Sequence, residues 1–150
     1  MNPSGRSLLA IVAGVAVWAC AGRAPAEESP PALVLGGCVD DYGIRYSIDA
    51  DQWVQHPGVR YHLRAWHPAD RFAVAQNDSG NPGDGGLWTR IDWAALADSS
   101  EYEWAFCYAA YRAPTQADAV LAERTRRDTP RTGCNGYPFS RMKRVAQPER

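Results

Sequence analysis

Three histidines are the first candidates for metal or acid–base chemistry in this chain of 150 residues. His56 and His67 each precede a proline at a predicted turn, and His62 lies in a predicted strand, so their spacing does not predict a shared metal ion. No G-x-S-x-G, H-E-x-x-H, P-loop or G-x-G-x-x-G motif occurs in the sequence. We therefore predict no catalytic residues, no cofactor and no bound metal.

Carboxylates are a second source of acid–base chemistry, because two Asp or Glu side chains in one pocket can act as acid and base. Two closely spaced pairs qualify, Asp40 with Asp41 and Glu101 with Glu103. Neither pair lies in a segment that predicts a pocket. We interpret both pairs as surface charge.

A run of turn-forming residues at positions 77–86 predicts a surface loop. Asn77, Asp78, Asn81 and Asp84 supply oxygen donors of the kind that bind Ca²⁺, but their spacing lacks the alternate ligands and closing glutamate of an EF-hand. We favour a solvated loop over a calcium site.

Trp88, Arg90 and Asp92 form a possible binding face, because alternate residues of a strand share one face. An ion pair between Arg90 and Asp92, shielded by aromatic rings, is the structural interpretation. An arginine that anchors a ligand is the functional interpretation. Both place these side chains on the outer face of the sheet.

Five tryptophans after residue 27 are a second potential contact surface: Trp53, Trp66, Trp88, Trp93 and Trp104. A small sheet is expected to leave some of them exposed, where they could stack on a sugar or contact a protein. A protein or a glycan is therefore the predicted partner. The net charge of -1 argues against nucleic acid as a partner.

Short segments with period-two alternation are expected to position these residues. The predicted strands are residues 44–48, the segment around Trp53, and residues 61–65, 72–76, 87–93, 104–111 and 137–142. Residues 104–111 are apolar on both faces, which is typical of a central strand.

One helix is predicted from Thr115 to about Arg127, with Thr115 as N-cap and Asp118 completing a capping box. Ala117, Val120 and Leu121 would form its apolar stripe. Consecutive short strands and one late helix indicate a mainly β domain, either a small antiparallel barrel or a sandwich, with one C-terminal α-helix packed on it.

The N-terminus predicts export. Arg6 precedes an apolar run from Leu8 to Ala19, too short to cross a hydrocarbon layer of about 30 Å as a helix but typical of a signal peptide. Residues 17–20, Val-Trp-Ala-Cys, resemble a bacterial lipobox, in which Cys20 is acylated and anchors the protein in the membrane. Cleavage after Ala26 at an A-x-A site is the alternative.

These signals divide the chain into four parts: a signal peptide at residues 1–19, a lipid-tether linker at 20–36, a single β-rich domain at 37–142 and a basic tail at 143–150. The residue that follows Cys20 is Ala21, and not an Asp, which at this position would resemble a signal for retention in the inner membrane. We therefore expect an outer-membrane lipoprotein, with a periplasmic or secreted protein as the alternative.

Export favours disulfides over free thiols. With Cys20 acylated, three cysteines remain and any two of them could pair. We favour Cys107 with Cys134, because this bond would tie a glycine-rich turn after the helix to an apolar strand. Cys38 would then be free, paired with Cys20 if lipidation fails, or bonded to another molecule.

Five segments along the chain form one pattern: Asp40–Gly43 with Ile48 and Trp53, Val74–Asn77, the W-T-R-I-D-W segment Trp88–Trp93, Phe106–Cys107 and Gly133–Met142. The pattern resembles an uncharacterised family of small secreted bacterial proteins and lipoproteins, over about residues 38–142. The family's two cysteines match Cys107 and Cys134, which supports their pairing. The resemblance implies no ligand and no catalytic residue.

Charge is unevenly distributed along the chain. Residues 27–123 contain six Arg and 15 Asp plus Glu, whereas residues 124–150 contain eight Arg plus Lys and two acidic residues. The basic C-terminal region could contact anionic lipid headgroups, acidic glycans or the acidic face of its own domain.

The sequence predicts a non-catalytic binding or structural module of the cell envelope. A small periplasmic enzyme inhibitor or an enzyme is the alternative. Exposed tryptophans without clustered titratable groups would favour the binding module, and a deep pocket with converging polar side chains would favour the alternative.

Overall fold

Eight strands and one short helix form the fold in a computed structural model, which describes residues 28–97 and 101–146. In chain order the elements are β1 (Gly36–Asp40), β2 (Arg45–Ile48), β3 (Gln52–Gln55), β4 (Val59–His67), β5 (Phe72–Asn77), β6 (Trp88–Ala95), β7 (Trp104–Ala113), α1 (Gln116–Leu121) and β8 (Ser140–Arg144). The predicted signal peptide, Cys20 and the first part of the predicted tether lie outside the described residues.

The strands form one closed antiparallel barrel in which each strand pairs with its neighbours in sequence. β8 closes the barrel because it pairs with both β7 and β1, as in Phe106 opposite Ser140 and Cys38 opposite Arg144. The predicted mainly β fold with one packed helix is confirmed, and it is a barrel rather than a sandwich. Every strand therefore has two neighbouring strands, although β8 pairs with β7 only along Trp104–Phe106.

The two ends of the barrel differ because successive antiparallel strands run in opposite directions. The connections that follow β1, β3, β5 and β7 lie at one end, which we call the upper end. Those that follow β2, β4 and β6 lie at the lower end, together with the segment that enters β1.

Aromatic side chains fill the barrel interior. Trp53, fully buried, packs edge-to-face on Trp104 and Phe106, with ring centroids 5.9 and 5.1 Å away. Small residues on β5 leave room for such rings, since Trp66 lies opposite Ala73 in the register. An eight-stranded barrel has an interior wide enough for side chains to fill it.

The expectation of exposed tryptophans is wrong. Four of the five described tryptophans are buried, and only Trp88 is half-buried. The physical reason is closure: a barrel buries its inner face completely, whereas an open sheet of the same length would expose part of its aromatic surface.

The lower end is closed by the segment before β1. Val34 is completely buried, and Leu33 and Leu35 pack against the main core. Arg144 donates hydrogen bonds to the carbonyls of Leu35 (2.8 Å) and Ala32 (2.7 Å), which fastens this segment to β8. The last residues of the predicted tether and the first two of the predicted tail, residues 143 and 144, therefore belong to the folded domain.

The basic residues of β8 contact the acidic face of their own domain. The ion pairs are Arg141–Asp41 at 2.9 Å, Lys143–Glu101 at 2.6 Å and Arg144–Glu103 at 3.3 Å. Contact with the acidic face of the domain, one of the three predicted contacts, is therefore present for these residues. Exposed pairs of this kind each contribute roughly 0–1 kcal/mol.

The helix begins as predicted but ends early. Thr115 caps it by accepting a hydrogen bond from the Asp118 amide at 3.1 Å. The helix ends at Leu121 instead of Arg127, because the carbonyls of Val120 and Ala122 accept hydrogen bonds from a side chain of β6, Arg90. No helix within the described residues is long and apolar enough to cross a membrane.

Of the predicted apolar stripe of the helix, Val120 packs half-buried against the barrel, but Ala117 and Leu121 do not. Ala119 is the buried residue and packs with Phe72 and Val74, whereas Ala117 is exposed and Leu121 is 82% exposed. Residues two positions apart lie on nearly opposite sides of a helix, so a helix that buries Ala119 exposes Ala117 and Leu121.

Candidate functional site

A pocket of about 710 Å³ opens at the upper end of the barrel. Five tyrosines line it, and we call it the tyrosine pocket: Tyr42, Tyr46, Tyr108, Tyr111 and Tyr137. Its polar lining also includes Asp40, Gln55, Asn135 and Ser140. These residues come from β1 and β2 with the turn between them, from β3, from β7 and from the segment that leads into β8.

Three of these tyrosines form an exposed rim. Tyr42 is 70% exposed, Tyr111 54% and Tyr137 73%, whereas Tyr46 is buried and Tyr108 is half-buried below them. Burying an aromatic side chain would remove much apolar area from water, so leaving three of them exposed around one opening gives up that stabilisation.

Tyr42 is positioned by the tight turn between β1 and β2. One carboxylate oxygen of Asp40 accepts hydrogen bonds from the amides of Tyr42 (2.9 Å) and Ile44 (2.8 Å). Gly43 has φ of 85°, a conformation that a side chain would strain. The turn therefore holds the rim residue on a well-defined backbone.

Tyr137 is positioned by a second tight turn, of the type that joins hairpin strands. Asn135 and Gly136 have φ of 52° and 89°, and the backbones of Cys134 and Tyr137 exchange two hydrogen bonds of 3.0 and 2.8 Å. Positive φ at two successive residues is the signature of a type I′ turn, for which Asn-Gly is the preferred pair.

The disulfide between Cys107 and Cys134 fixes this turn on the barrel, and the predicted pairing is confirmed. The two Cα atoms lie 5.6 Å apart. The Asn135 side-chain amide donates to the carbonyls of Tyr108 (3.4 Å) and Ala109 (3.3 Å), which adds a second link to β7. The covalent bond thus joins two walls of the tyrosine pocket.

Cys38 is the free cysteine among the described residues, and it is buried. Burial raises the pKa of its thiol, with the charge of Arg144 opposing this effect. The thiol is therefore kept protonated and inaccessible to partners, which is unlike a catalytic thiolate.

Tyr111 is positioned through its backbone. The side-chain amide of Asn77, which is buried, donates to the carbonyls of Tyr111 (3.1 Å) and Asp84 (3.0 Å). Thr89 donates to the Asn77 side-chain carbonyl at 2.6 Å. Asn77 therefore links the end of β7 to the loop between β5 and β6.

The floor of the pocket is a set of neutral phenols. Tyr46 donates to Asp40 at 3.0 Å, and Tyr108 donates to Gln55 at 3.3 Å. Burial raises the pKa of Tyr46 and Tyr108 far above the usual tyrosine value; the Asp40 charge adds to the effect at Tyr46, and Tyr61 and Tyr46 add to it at Tyr108. Both phenols therefore keep their protons and act as hydrogen-bond donors.

The closely spaced carboxylates of the sequence do not form an acid–base pair in the tyrosine pocket. Asp40 lines the tyrosine pocket, but its two oxygens already accept three hydrogen bonds. Asp41 pairs with Arg141 outside the pocket. Glu101 and Glu103 pair with basic residues of β8 at the surface.

The histidines do not assemble either. His56 contacts Ser47, His62 pairs with Asp78 at 2.8 Å, and His67 stacks on Phe72. In residues 28–97 and 101–146 no group of three or more His, Cys, Asp or Glu side chains could hold a metal ion.

The loop between β5 and β6 uses its polar side chains for its own structure. Asp78 accepts from the Gly80 amide and pairs with His62, and the Gly80 hydrogen bond, followed by the His62 hydrogen bond, lowers the pKa of Asp78. Asn81 bonds to the backbone of Arg60 on β4.

Arg90 and Asp92 point outward from β6 as predicted, but they are not exposed. They are 2% and 0% exposed because α1 and the segment after it cover this face of the barrel. The predicted ion pair is present, with Nε of Arg90 2.7 Å from Asp92. The proposal of a solvent-facing binding site at Trp88, Arg90 and Asp92 is therefore wrong, and Trp88 packs half-buried beside the helix.

The buried pair holds the covering segment in place. Arg90 Nη1 donates to the carbonyls of Val120 (2.8 Å) and Ala122 (3.1 Å), which lack partners at the helix end. Asp92 accepts from the Thr125 hydroxyl at 2.7 Å, and Arg127 lies 3.5 Å from its carboxylate. The guanidinium of Arg90 also lies 3.9 Å from the Phe72 ring centroid.

The tyrosine pocket was not predicted from the sequence. Tyr42 precedes Gly43 and Tyr137 follows Gly136, so an exposed aromatic residue beside a turn glycine is a signal that could have identified two of the rim residues. Tyr111 carries no such signal, because it lies within the apolar strand β7.

Comparison with known proteins finds no match: no family model, no curated protein and no solved structure matches the chain. The resemblance to small secreted bacterial proteins therefore stays a prediction, and the geometry of the tyrosine pocket is the basis for the function that we propose.

Proposed function

We propose that the protein is a non-catalytic binding protein of the bacterial cell envelope, anchored by a lipid on Cys20, that holds its ligand in the tyrosine pocket. The exposed rim of Tyr42, Tyr111 and Tyr137 around one concave opening carries this proposal. Aromatic side chains around a concave surface are typical of ligand sites, because they give a large contact area with little loss of side-chain entropy on binding.

The chemistry of the lining supports binding rather than catalysis. Nucleophilic catalysis needs an activated nucleophile beside a base, and general acid–base catalysis needs a titratable group that is free to exchange a proton. Asp40 is the one carboxylate that lines the pocket among the described residues, and its hydrogen bonds leave it little capacity for that role. An enzyme, the alternative, would need a second titratable group there.

Export is supported by the lipobox-like residues 17–20 and, weakly, by the disulfide between Cys107 and Cys134, which is consistent with an oxidising compartment. Bonds to the barrel begin at Ala32, which leaves residues 21–31 after Cys20 for a tether between lipid and barrel.

Lipidation of Cys20 is tested by the intact mass of the mature protein from membranes. We expect an N-terminus at Cys20 with the added mass of the acyl groups, and loss of that species in a Cys20→Ser variant. An N-terminus at Glu27 without lipid would overturn the anchor but not the tyrosine pocket.

Ligand binding is tested with protein in which all seven tyrosines are replaced by 3-fluorotyrosine. Its ¹⁹F resonances are assigned with single Tyr→Phe variants and followed during titration with low-mass fractions of a bacterial envelope extract. We expect a fraction that shifts the Tyr42, Tyr111 and Tyr137 resonances. Tyr102, which does not line the pocket, is the internal control. The proposal fails if no fraction shifts the rim resonances more than that of Tyr102.

A further inference from the structure

We infer that the ligand of the tyrosine pocket is a neutral oligosaccharide. This inference rests on the proposed function, because it specifies what the same pocket binds. Three properties of the described residues support it: the lining offers no free charge, its rings are exposed, and its amides have unused hydrogen-bonding atoms.

The charge of the lining argues against an ionic ligand. No Arg, Lys or His lines the pocket among the described residues, so an anionic group would find no ion partner there. Asp40 is buried and accepts hydrogen bonds from Tyr42, Ile44 and Tyr46, so its charge is compensated inside the protein. A cation that paired directly with Asp40 would have to compete with these bonds inside the protein.

The rim rings suit a ligand with flat apolar faces and polar edges. Tyr42, Tyr111 and Tyr137 combine an aromatic face with a hydroxyl group. A pyranose ring has C–H groups on its faces and hydroxyl groups around its edge, so it can pack on a phenol ring while its hydroxyls bond to neighbouring groups. An acyl chain would gain nothing from the hydroxyl groups and would desolvate them.

Two amides can bond to sugar hydroxyls. Gln55 uses its carbonyl oxygen to accept from Tyr108, which leaves its amino group free, and Asn135 uses its amino group to donate to β7, which leaves its carbonyl oxygen free. Neither of these two remaining atoms has a hydrogen-bond partner among the described residues. One donor and one acceptor match hydroxyl groups, which both donate and accept.

The closed barrel argues against an extended peptide as the ligand. Peptides commonly bind by adding a strand to an open sheet edge, where main-chain hydrogen bonds supply affinity. The strand β8 pairs with β7 only along Trp104–Phe106, and beyond Phe106 the turn that contains Asn135 takes its place, because the Asn135 side chain donates to the carbonyls of Tyr108 and Ala109. A peptide strand could pair with this part of β7 only by displacing that turn, which the disulfide holds in place.

The test uses calorimetric titration with three neutral trisaccharides, maltotriose, cellotriose and tri-N-acetylchitotriose, and with the anionic trisaccharide of galacturonic acid. We expect at least one neutral trisaccharide to bind saturably in the millimolar range or tighter, and the anionic one to bind more weakly. Tyr137→Ala and Tyr111→Ala should each weaken binding roughly three- to tenfold, because each removes one stacking surface.

Matched variants separate stacking from general destabilisation. Leu121→Ala, which truncates an exposed apolar residue away from the pocket, should leave affinity unchanged. Tyr137→Trp should retain affinity, because it keeps an aromatic face. Thermal unfolding of each variant identifies any that is not folded, and such a variant is replaced by Tyr→Ser at the same position.

Each outcome decides the inference. Binding that is unchanged in both tyrosine variants would place the sugar elsewhere and overturn it. If no neutral trisaccharide binds but an envelope fraction still shifts the fluorotyrosine resonances of the rim, the ligand class is wrong and the proposed function stands. If neither occurs, both the inference and the proposed binding function fail.

Discussion

Replacing Arg90 with alanine is expected to lower the free energy of unfolding by about 3–5 kcal/mol, the range for breaking one partner of a buried ion pair. The substitution leaves Asp92 fully buried without its closest cation, and it leaves the carbonyls of Val120 and Ala122 without their donor. Because domains of this size are typically stable by only about 5–15 kcal/mol, the loss would be a large part of the total. Urea unfolding of the purified domain measures it.

An exposed ion pair provides the control for this prediction. Arg124 pairs with Asp70 at 3.1 Å, but both side chains are largely exposed. Arg124→Ala should therefore cost no more than about 1 kcal/mol. If Arg90→Ala and Arg124→Ala lowered the free energy of unfolding by equal amounts, the structural role of the buried pair would be contradicted.

A double variant separates the pair from the rest of the network. If most of the cost of Arg90→Ala comes from an unpaired Asp92, then adding Asp92→Ala should cost much less than it does in the wild-type background. Thr125 and Arg127 also contact Asp92, so some cost from these contacts should remain.

Replacing Cys107 or Cys134 with serine is expected to lower stability by roughly 2–5 kcal/mol, the range for removal of a native disulfide from a small domain. The two residues are 27 positions apart, so their bond removes substantial loop-closure entropy from the unfolded chain. Thermal and denaturant unfolding under non-reducing conditions measure the change.

The same substitutions should affect the tyrosine pocket. Cys134 begins the tight turn that presents Tyr137, so loss of the covalent link should broaden or shift the ¹⁹F resonance of Tyr137 more than that of Tyr42, whose turn lies on β1 and β2. Cys38→Ala is the control, because Cys38 is free and its substitution removes only one buried sulfur. A larger stability loss from Cys38→Ala than from Cys107→Ser would contradict the expected contribution of the disulfide to stability.

The alternation of apolar and polar residues was sufficient to predict most strands. The side chains of a strand alternate between two faces with a period of two residues, so even a short segment shows the pattern. Arg90 and Asp92 were placed on the correct face of β6 for this reason. β1 was missed because its first two residues are glycines, which carry no side chain to display the alternation and disfavour strands. The N-terminal cap of α1 was predictable because Thr115 and Asp118 are three residues apart and interact directly.

The end of α1 depended on distant residues. The sequence after Leu121 is compatible with helix, but Arg90 and Asp92 on β6 hold the backbone and side chains of residues 120–127 in a different path. These contacts join positions about thirty residues apart, so no local window of sequence contains both partners.

Exposure was the property that the sequence could not assign, and the candidate site depends on it. Alternation identifies which side chains share a face, but closure into a barrel buried the inner-facing tryptophans, and the helix covered the outer face that holds Arg90. The rim of Tyr42, Tyr111 and Tyr137 exists only because strands from both halves of the chain meet at the upper end. Solvent exposure depends on every element packed around a residue, whereas periodicity depends on its neighbours in sequence, and this difference separates what was predicted correctly from what was not.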